Sequence, residues 1–197
     1  MSSEGSLPPW PSKPSEHGRV RLRDVRDEDV ALALELSADP YVPLIGSLPA
    51  QASVAESRDW VHRQQERYRD GAGFSFVIEE STSCVALGHC GLWLRELSDG
   101  RGSAGYSVLP SQRGQGFAAD ALTALTTFGW SIAGLHRIEL YIEPWNIGSI
   151  RTAESAGYML EGLLRDHQEI GGIRRDMLLY AAIRAASTQV PTTRPTP

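Results

Sequence analysis

The sequence contains almost no lysine and very little cysteine. Lys13 is the one lysine in the 197-residue chain, and every other basic residue apart from the histidines is arginine. Cys84 and Cys90 are too few for a zinc site and do not form the C-x-x-C pair of a redox protein. We interpret both as reduced packing residues, and we predict no metal site.

Long apolar runs and a secretion signal are also missing. No stretch approaches the roughly 20 apolar residues needed to cross a bilayer, and the N-terminus lacks a charged-then-apolar signal pattern. The net charge of −5 argues against a general nucleic-acid-binding protein, which would present a basic face. With 41% hydrophobic and 22% charged residues, the composition predicts a globular protein, and we expect a cytoplasmic location without membrane or nucleic-acid partners.

The composition divides the chain into one domain and two tails. Residues 1–18 and 186–197 are rich in Ser, Thr and Pro and are predicted to be disordered, leaving a single domain over residues 19–185. Hydrophobic periodicity predicts strands at 19–23, 74–79, 85–94, 102–109, 136–142, 158–164 and 174–179, and helices from 27 through 36, at 53–69, from 117 and at 147–155. This order favours an α+β (α/β) fold with a mixed, largely antiparallel central sheet flanked by helices.

A glycine-rich turn at residues 107–119 lies between a strand and a helix. The β-branched strand stops at Pro110, and a helical pattern begins at Phe117 after the sequence Arg-Gly-Gln-Gly. Backbone N–H groups at such a helix start are unpaired and lie at the positive end of the helix dipole, so they bind phosphate. The turn therefore indicates a binding site for the diphosphate of a coenzyme.

Two other interpretations of this turn stay open at the level of the residues. Any tight connection between a strand and a close-packed helix uses Gly and Ala in the same way. Residues 114–119 also satisfy the dinucleotide fingerprint G-x-G-x-x-A, which belongs to a βαβ unit with an acidic residue roughly 20 positions later. Glu139 comes slightly too late and lies within a strand, which disfavours a nucleotide-dependent oxidoreductase.

Three motifs resemble the GCN5-related N-acetyltransferases (GNAT). Residues 113–118 resemble the Q/R-x-x-G-x-G/A signature of that family, and residues 146–149 with 154–158 resemble its N-x-x-S…E-K-x-G-F segment. Residues 134–139, Gly-Leu-His-Arg-Ile-Glu, resemble the RimJ/RimL-like branch. The similarity covers roughly residues 19–183.

The resemblance implies acetyl-CoA as the acyl donor, bound where the parallel strands 106–109 and 136–142 diverge. Asn146 would also serve as an ordinary helix cap, and Ser149 as a first-turn hydroxyl. The residues implied to bind the coenzyme are Ser107, Val108, Leu109, Gln112, Arg113, Gly114, Gln115, Gly116, Phe117, Ala118, Asn146 and Ser149.

The resemblance also suggests catalytic residues. Many family members carry a tyrosine acid seven residues after the asparagine, where this chain has Ala153, so Ser149 becomes the substitute proton donor. The glutamate base of the RimL-like branch falls on Gln168, with Glu169 adjacent, and a one-residue shift in register decides which one faces the amine. We therefore predict Ser149 and Glu169 as catalytic, with Glu79, His89 and Glu161 in reserve.

The predicted function is acyl-CoA-dependent transfer to a primary amine by direct attack in a ternary complex. A free α-amine has a pKa near 8, so about a tenth of it is neutral at pH 7 and a weak base or a water chain suffices. The sequence leaves open the acceptor (a protein N-terminus or a small amine), the length of the acyl chain and whether the protein forms a homodimer. It also leaves open the role of Arg174-Arg175-Asp176, for which a solvent-exposed edge strand is the simplest interpretation. Trp93 and Trp145 are further candidates for the acceptor pocket, and a non-catalytic acyl-CoA-binding or assembly module is the alternative function.

Overall fold

A computed structural model describes residues 7–185, which form one sheet covered by helices on both faces. None of the helices in this range is long and apolar enough to cross a membrane. The strands are β1 (Ser15–His17), β2 (Val20–Asp24), β3 (Gly73–Glu80), β4 (Ala86–Trp93), β5 (Arg101–Val108), β6 (Arg137–Ile142), β7 (Met159–Ile170) and β8 (Ile173–Ile183). The helices are α1 (Val30–Ser37), α2 (Val42–Ile45), α3 (Val54–Glu66), α4 (Phe117–Gly129) and α5 (Ile147–Ser155).

The sheet has eight strands in the order β1-β2-β3-β4-β5-β6-β8-β7. Every neighbouring pair within the described residues is antiparallel except β5 and β6, which are parallel. This confirms the predicted mixed, largely antiparallel sheet flanked by helices.

Helix α4 packs on one face of the sheet and supplies the larger hydrophobic core. Its apolar positions recur every three to four residues, so one stripe of the helix is buried. The ring of Phe128 meets Phe74 and Phe76 edge-on at centroid distances of 4.8 and 5.2 Å. Each fully buried Leu or Phe side chain stabilises the fold by about 2 kcal/mol, so this stripe holds the N-terminal end of α4 firmly beside the end of β5.

Helices α1 and α3 cover the opposite face. Helix α3 begins at Ser53, whose hydroxyl accepts from the Glu56 N–H while the Glu56 carboxylate accepts from the Ser53 N–H, the reciprocal pair of a capping box. Its buried side chains are Ser57, Trp60, Val61 and Gln64, and Val54 is exposed. The helix ends at Glu66 and is shorter than the predicted 53–69. It buries two polar side chains, Ser57 and Gln64.

Residues 7–18 pack against the domain, which differs from the predicted disordered tail over residues 1–18. Strand β1 pairs with β2, and the Ser15 hydroxyl donates to the Ala124 carbonyl at 2.8 Å. The Trp10 ring lies 5.2 to 5.5 Å from three rings of the core, those of Tyr68, Phe74 and Phe76. Burial of one tryptophan ring and backbone pairing with β2 order this segment despite its polar composition. A prediction from residue counts does not include either effect. The remainder of both predicted tails, residues 1–6 and 186–197, lies outside the described residues.

Strands β7 and β8 form a hairpin longer than the predicted 158–164 and 174–179. Its two-residue turn is Gly171-Gly172, with φ of +60° and +78°, the backbone geometry of a type I′ turn. Residues 165–169 are polar because this part of the hairpin is largely solvent-exposed, so the alternation of apolar and polar residues stops there. A prediction from periodicity therefore ends the strand too early.

Candidate active site

A cleft of about 660 Å³ lies at the end of β5. Its walls come from the last residues of β5, the first turn of α4, the first two turns of α5 and the loop that contains α2. This volume is in the range of small-molecule and coenzyme sites.

The cleft exists because the two parallel strands separate. Strands β5 and β6 pair over only three residues, 101–103 with 137–139, and beyond Ser103 and Glu139 they share no backbone pairing. The edge of β5 from residue 104 onward is therefore open toward β6. This confirms the predicted divergence of the parallel strands and leaves backbone groups available to a bound chain.

The glycine loop, defined here as residues 113–118, closes one end of the cleft. Gly114 and Gly116 have φ of +74° and +86°, a region that favours glycine, and Gly116 is the residue just before α4. The N–H groups of residues 114–118 donate to no acceptor within residues 7–185. Five bare amides at the start of a 13-residue helix form a site for a diphosphate, so the loop fits the coenzyme that the sequence predicts.

Two side chains fix the glycine loop in place. The Arg113 Nε donates to the Val108 carbonyl at 3.0 Å, and its Nη2 lies 2.7 Å from Asp39 Oδ2. Asp39 also accepts from the N–H groups of Tyr41 and Val42. Although burial opposes it, these two N–H groups and Arg113 hold the pKa of Asp39 below its ordinary value. Arg113 therefore ties the loop to the segment before α2.

Tyr106 of β5 lies beside the start of α5, at Asn146 and Ser149, next to the open strand edge. Asn146 caps α5, since its Oδ1 accepts from the Ser149 N–H at 3.1 Å. The Tyr106 hydroxyl donates to the Ser149 carbonyl at 3.3 Å. Burial raises the pKa of Tyr106, and the nearby polar groups of Ser149 and Thr152 oppose that rise without cancelling it. The Tyr106 phenol therefore stays protonated at neutral pH and is able to donate.

Comparison with protein-family models identifies the family of this chain. The model described as "Acetyltransferase (GNAT) domain" matches residues 19–159, more than two thirds of the chain. The chain belongs to the GNAT acetyltransferase family. This establishes the predicted enzyme class, and it removes the nucleotide-dependent oxidoreductase from consideration.

Known proteins similar to this acetyltransferase agree with the assignment. An uncharacterized N-acetyltransferase p20 of Bacillus licheniformis is 28% identical over 168 residues, covering 84% of this chain and 93% of that protein. RimJ of Mycobacterium smegmatis, solved with a CoA disulfide, is 27% identical with a TM-score of 0.73, covering 87% of this chain and 86% of that one. RimL, a ribosomal-protein α-N-acetyltransferase solved with coenzyme A, is 22% identical with a TM-score of 0.77, covering 89% and 100%, which shows the shared fold.

Most of the predicted coenzyme-binding residues of this acetyltransferase line the cleft. They are Ser107, Val108, Gln112, Arg113, Gly114, Gly116, Phe117, Ala118, Asn146 and Ser149. Leu109 does not line it, because its side chain is buried and its N–H donates to the Leu87 carbonyl of the neighbouring strand. Gln115 is exposed on the outside of the loop, where its carbonyl accepts from Arg19.

Glu169 does not line the cleft, and its catalytic role stays a prediction. Its side chain is exposed near the tip of the β7–β8 hairpin, opposite Arg174, and neither it nor Gln168 lines this cleft or the smaller cavity discussed below. The reason is strand alternation, because Ile170 is the residue that turns inward at this end of β7.

The reserve residues are explained by structural contacts. Glu161 is exposed and pairs with Arg137, with one oxygen 2.8 Å from Nη1. Glu79 is buried on β3, where its Oε2 accepts from Arg23 Nε at 2.7 Å and its other oxygen pairs with Arg21. Of the three, His89 alone lines a cavity, the smaller one discussed below.

Glu79→Gln should lower the free energy of unfolding by about 3 kcal/mol, because it leaves Arg23 buried with one carboxylate partner fewer. Although burial opposes it, Arg23 and Arg21 hold the pKa of Glu79 below its ordinary value of 4.5. The stabilisation is therefore complete above about pH 5 and disappears as the pH falls through the folded-state pKa.

Urea unfolding of the wild-type protein and of Glu79→Gln, measured from pH 3 to 8, tests this. The two stabilities should converge at acid pH, whereas Glu16→Gln, an exposed change on β1, should leave stability unaltered. A constant difference between wild type and Glu79→Gln at every pH would contradict an ionised Glu79.

The sequence interpretation missed several residues around the cleft. Arg19 donates to the Gln115 carbonyl, and its guanidinium lies 4.3 Å from the centroid of the Phe117 ring, so it adds positive charge beside the glycine loop. The Tyr41 hydroxyl donates at 2.7 Å to Glu143, a buried carboxylate just after β6. No local motif marks these positions, since each contact joins residues about 100 positions apart.

The structure also places the remaining candidate residues, those of the turn 174–176 and the two tryptophans. Arg175 Nε lies 3.6 Å from Glu143, and Asp176 accepts from the Asp166 N–H within the hairpin, so part of this polar turn has a structural use. Trp145 is 59% exposed and lines the cleft against the Tyr41 ring, and Trp93 lines the smaller cavity. Within residues 7–185, no cluster of three or more His, Cys, Asp or Glu side chains is arranged to hold a metal ion.

Proposed function

We propose that this enzyme transfers an acetyl group from acetyl-CoA to a primary amine by direct attack in a ternary complex. The observation that carries the proposal is the row of five unpaired amides at the start of α4, beside the open edge of β5. Solved relatives with the same fold contain coenzyme A or its disulfide, which supports the same use of this loop.

Acetyl-CoA supplies an activated thioester carbonyl. The acceptor nitrogen forms a bond to that carbonyl carbon, the carbon–sulfur bond breaks, the nitrogen loses one proton and the leaving sulfur gains one. The amides of residues 114–118 would hold the diphosphate, and the open backbone edge of β5 would hold the pantetheine arm. Holding both reactants in this way supplies much of the rate.

The proton for the leaving thiolate would come from the hydroxyls that meet at the open strand edge. A thiol of this kind has a pKa near 8.5, so a neutral hydroxyl donor gives moderate help. Ser149 and Tyr106 both line the cleft, and the pKa of Tyr106 is raised. Tyr106, which comes from β5, thus occupies the role left empty by Ala153 on α5, a fully buried side chain.

The neutral form of the acceptor amine would arise largely from the amine's own acid–base equilibrium, since the predicted base Glu169 does not line the cleft. This favours α-amines, of which about a tenth is neutral at pH 7, over lysine side chains. A protein N-terminus and a small amine both meet this requirement. A cytoplasmic location, where acetyl-CoA is made and used, stays part of the proposal.

The test is a transfer assay with acetyl-CoA and a panel of amines: peptide N-termini, amino acids, polyamines and aminoglycosides. Release of free thiol is followed by a colorimetric reagent, and the acetylated product by mass spectrometry. We expect acceptor-dependent thiol release with at least one class of primary amine. Coenzyme binding without transfer to any amine would instead support the alternative, a non-catalytic acyl-CoA-binding module, and propionyl-CoA and longer donors would report the acyl length.

A further inference from the structure

A second cavity lies on the other face of the sheet, against α1 and α3. It has a volume of about 140 Å³ and is lined by side chains of α1, α2 and α3 and by strands β4 and β5. Four of its lining residues, Val42, Ile45, Tyr106 and Ser107, also line the coenzyme cleft. The two cavities therefore adjoin at the end of β5, where an acceptor and a thioester would have to meet.

Three polar side chains of this cavity carry buried nitrogen atoms without hydrogen-bond partners. These atoms are Gln64 Nε2, Arg67 Nη1 and His89 Nε2, as counted against residues 7–185. Gln64 is 3% exposed and His89 is 8% exposed. Buried polar groups are almost always paired, and each unpaired one costs about 1–3 kcal/mol, so three in one small cavity point to a missing ligand.

Arg67 carries a positive charge into this cavity without a carboxylate to balance it. Its Nη2 donates to Gln64 Oε1 at 2.6 Å, and its guanidinium lies 4.6 Å from the centroid of the Trp93 ring. Burial, together with the nearby charge of Arg95, lowers the pKa of Arg67 to about 10, so it is still charged at neutral pH. No ion pair of Arg67 occurs within the described range, whereas the buried Arg23 has two.

The neighbouring groups are arranged around this cation. Burial and the charge of Arg67 lower the pKa of His89 to about 3, so its ring is neutral and adds no second positive charge. At Gly91 a Cβ would lie 2.9 Å from Arg67 Nη1 and 3.1 Å from the Trp93 ring, and at Gly105 a Cβ would lie 3.1 Å from that ring. The two glycines thus leave room for the stacked Arg67 and Trp93 side chains.

We propose that this cavity binds a carboxylate of the acceptor, so that the substrate is a primary amine that also bears a carboxylate. The inference rests on the proposed acetyl transfer, which it makes more specific. A carboxylate accepts from Arg67 Nη1 and from the Gln64 amide, and His89 in its Nε2–H form donates a third hydrogen bond. The small volume suits one planar carboxylate, and Arg67 makes this a local positive site in a chain whose net charge is −5.

Matched pairs of acceptors test the proposal. Each amino acid and ω-amino acid in the panel is compared with its amide, which keeps the amine and removes the carboxylate charge. The measured quantity is the ratio of kcat/KM for the acid to that for the amide, in the wild type, Arg67→Met, Arg67→Lys and Arg69→Met. Because ratios are compared between proteins, the different pKa values of the two amines cancel.

Arg67→Met should lower the acid-to-amide ratio roughly thirtyfold, the loss expected for a charge-assisted hydrogen bond. Arg67→Lys should restore part of the ratio, and Arg69→Met should not alter it, because Arg69 is exposed in the same turn after α3. The affinity for coenzyme A should be the same in all four proteins. An equal loss with acids and amides in Arg67→Met, or a ratio unaffected by that change, overturns the proposal.

A second measurement is independent of activity. Titration with acetate should shift one arginine Nε–Hε resonance in a ¹⁵N-edited NMR spectrum, the resonance that Arg67→Met removes, and acetamide should shift none. A shift by inorganic phosphate but not by acetate would overturn the assignment to a carboxylate. If acetate binds at Arg67 while no amine is acetylated, the carboxylate site stands and the proposed transfer fails, so the two failures are distinguishable.

Discussion

Replacing Gly116 with glutamate is expected to weaken coenzyme A binding by about a thousandfold. The new carboxylate would stand at the start of α4, among the bare amides proposed to hold the diphosphate. Two like charges about 4 Å apart near a protein surface repel by about 4 kcal/mol, and that free energy corresponds to three orders of magnitude in the dissociation constant. Isothermal titration calorimetry with coenzyme A measures the effect.

Two control variants separate charge from backbone strain. Gly134→Glu places the same side chain at a φ of +80°, close to the +86° of Gly116, in open space outside the cleft. Gly116→Ala keeps the strain and omits the charge, and its Cβ would meet only Arg19, at an ordinary 3.8 Å. Both variants should bind coenzyme A within about tenfold of the wild type, since left-handed backbone costs a non-glycine residue about 1–2 kcal/mol. Unchanged affinity in Gly116→Glu would refute the diphosphate site.

Ser149→Ala is expected to lower kcat about a hundredfold while altering coenzyme A affinity less than about threefold. The reason is that a proton donor to the leaving sulfur acts in the transition state and contributes little to binding of the ground state. Steady-state kinetics with the best acceptor, combined with calorimetry, separates the two quantities. An equal loss of affinity and turnover would assign the Ser149 hydroxyl to coenzyme binding instead.

Tyr106→Phe distinguishes the two hydroxyls that meet in the cleft. If the Tyr106 phenol and the Ser149 hydroxyl pass the proton to the sulfur as one unit, either change alone should cost nearly as much as both together, because groups that act as a unit are not additive. The hydrogen bond from Tyr106 to the Ser149 backbone carbonyl is retained in Ser149→Ala. Thr127→Ala, which removes an exposed hydroxyl from α4, is the matched control and should leave kcat unaltered. Full activity in Tyr106→Phe would leave Ser149 as the donor.

Local pattern was enough to predict most of the fold. Helix α5 has the predicted bounds 147–155, because Asn146 caps it and Gly157 follows it in a left-handed conformation. Strands β2 to β6 lie within two residues of their predicted bounds. The hairpin turn at Gly171-Gly172 also follows from residue type alone.

Local sequence patterns did not predict which side chains contact each other between α3 and the sheet. In the predicted helix 53–69 the apolar Val54 is exposed, whereas Gln64 is buried and Arg67 lies half-buried beside it. Periodicity assigns polar residues to the solvent, so it places these two outside. Only packing against β4, from a different part of the chain, turns them toward His89.

The amino-acid sequence by itself determined the glycine loop and the helix cap at Asn146, because each depends on residues close together in the chain. Tertiary structure alone decided that Glu169 lies away from the cleft, that Tyr106 stands beside Ser149, and that Arg67 has no acidic partner in the described chain. Those facts depend on which side chains meet across 20 to 100 positions, and long-range packing sets that outcome.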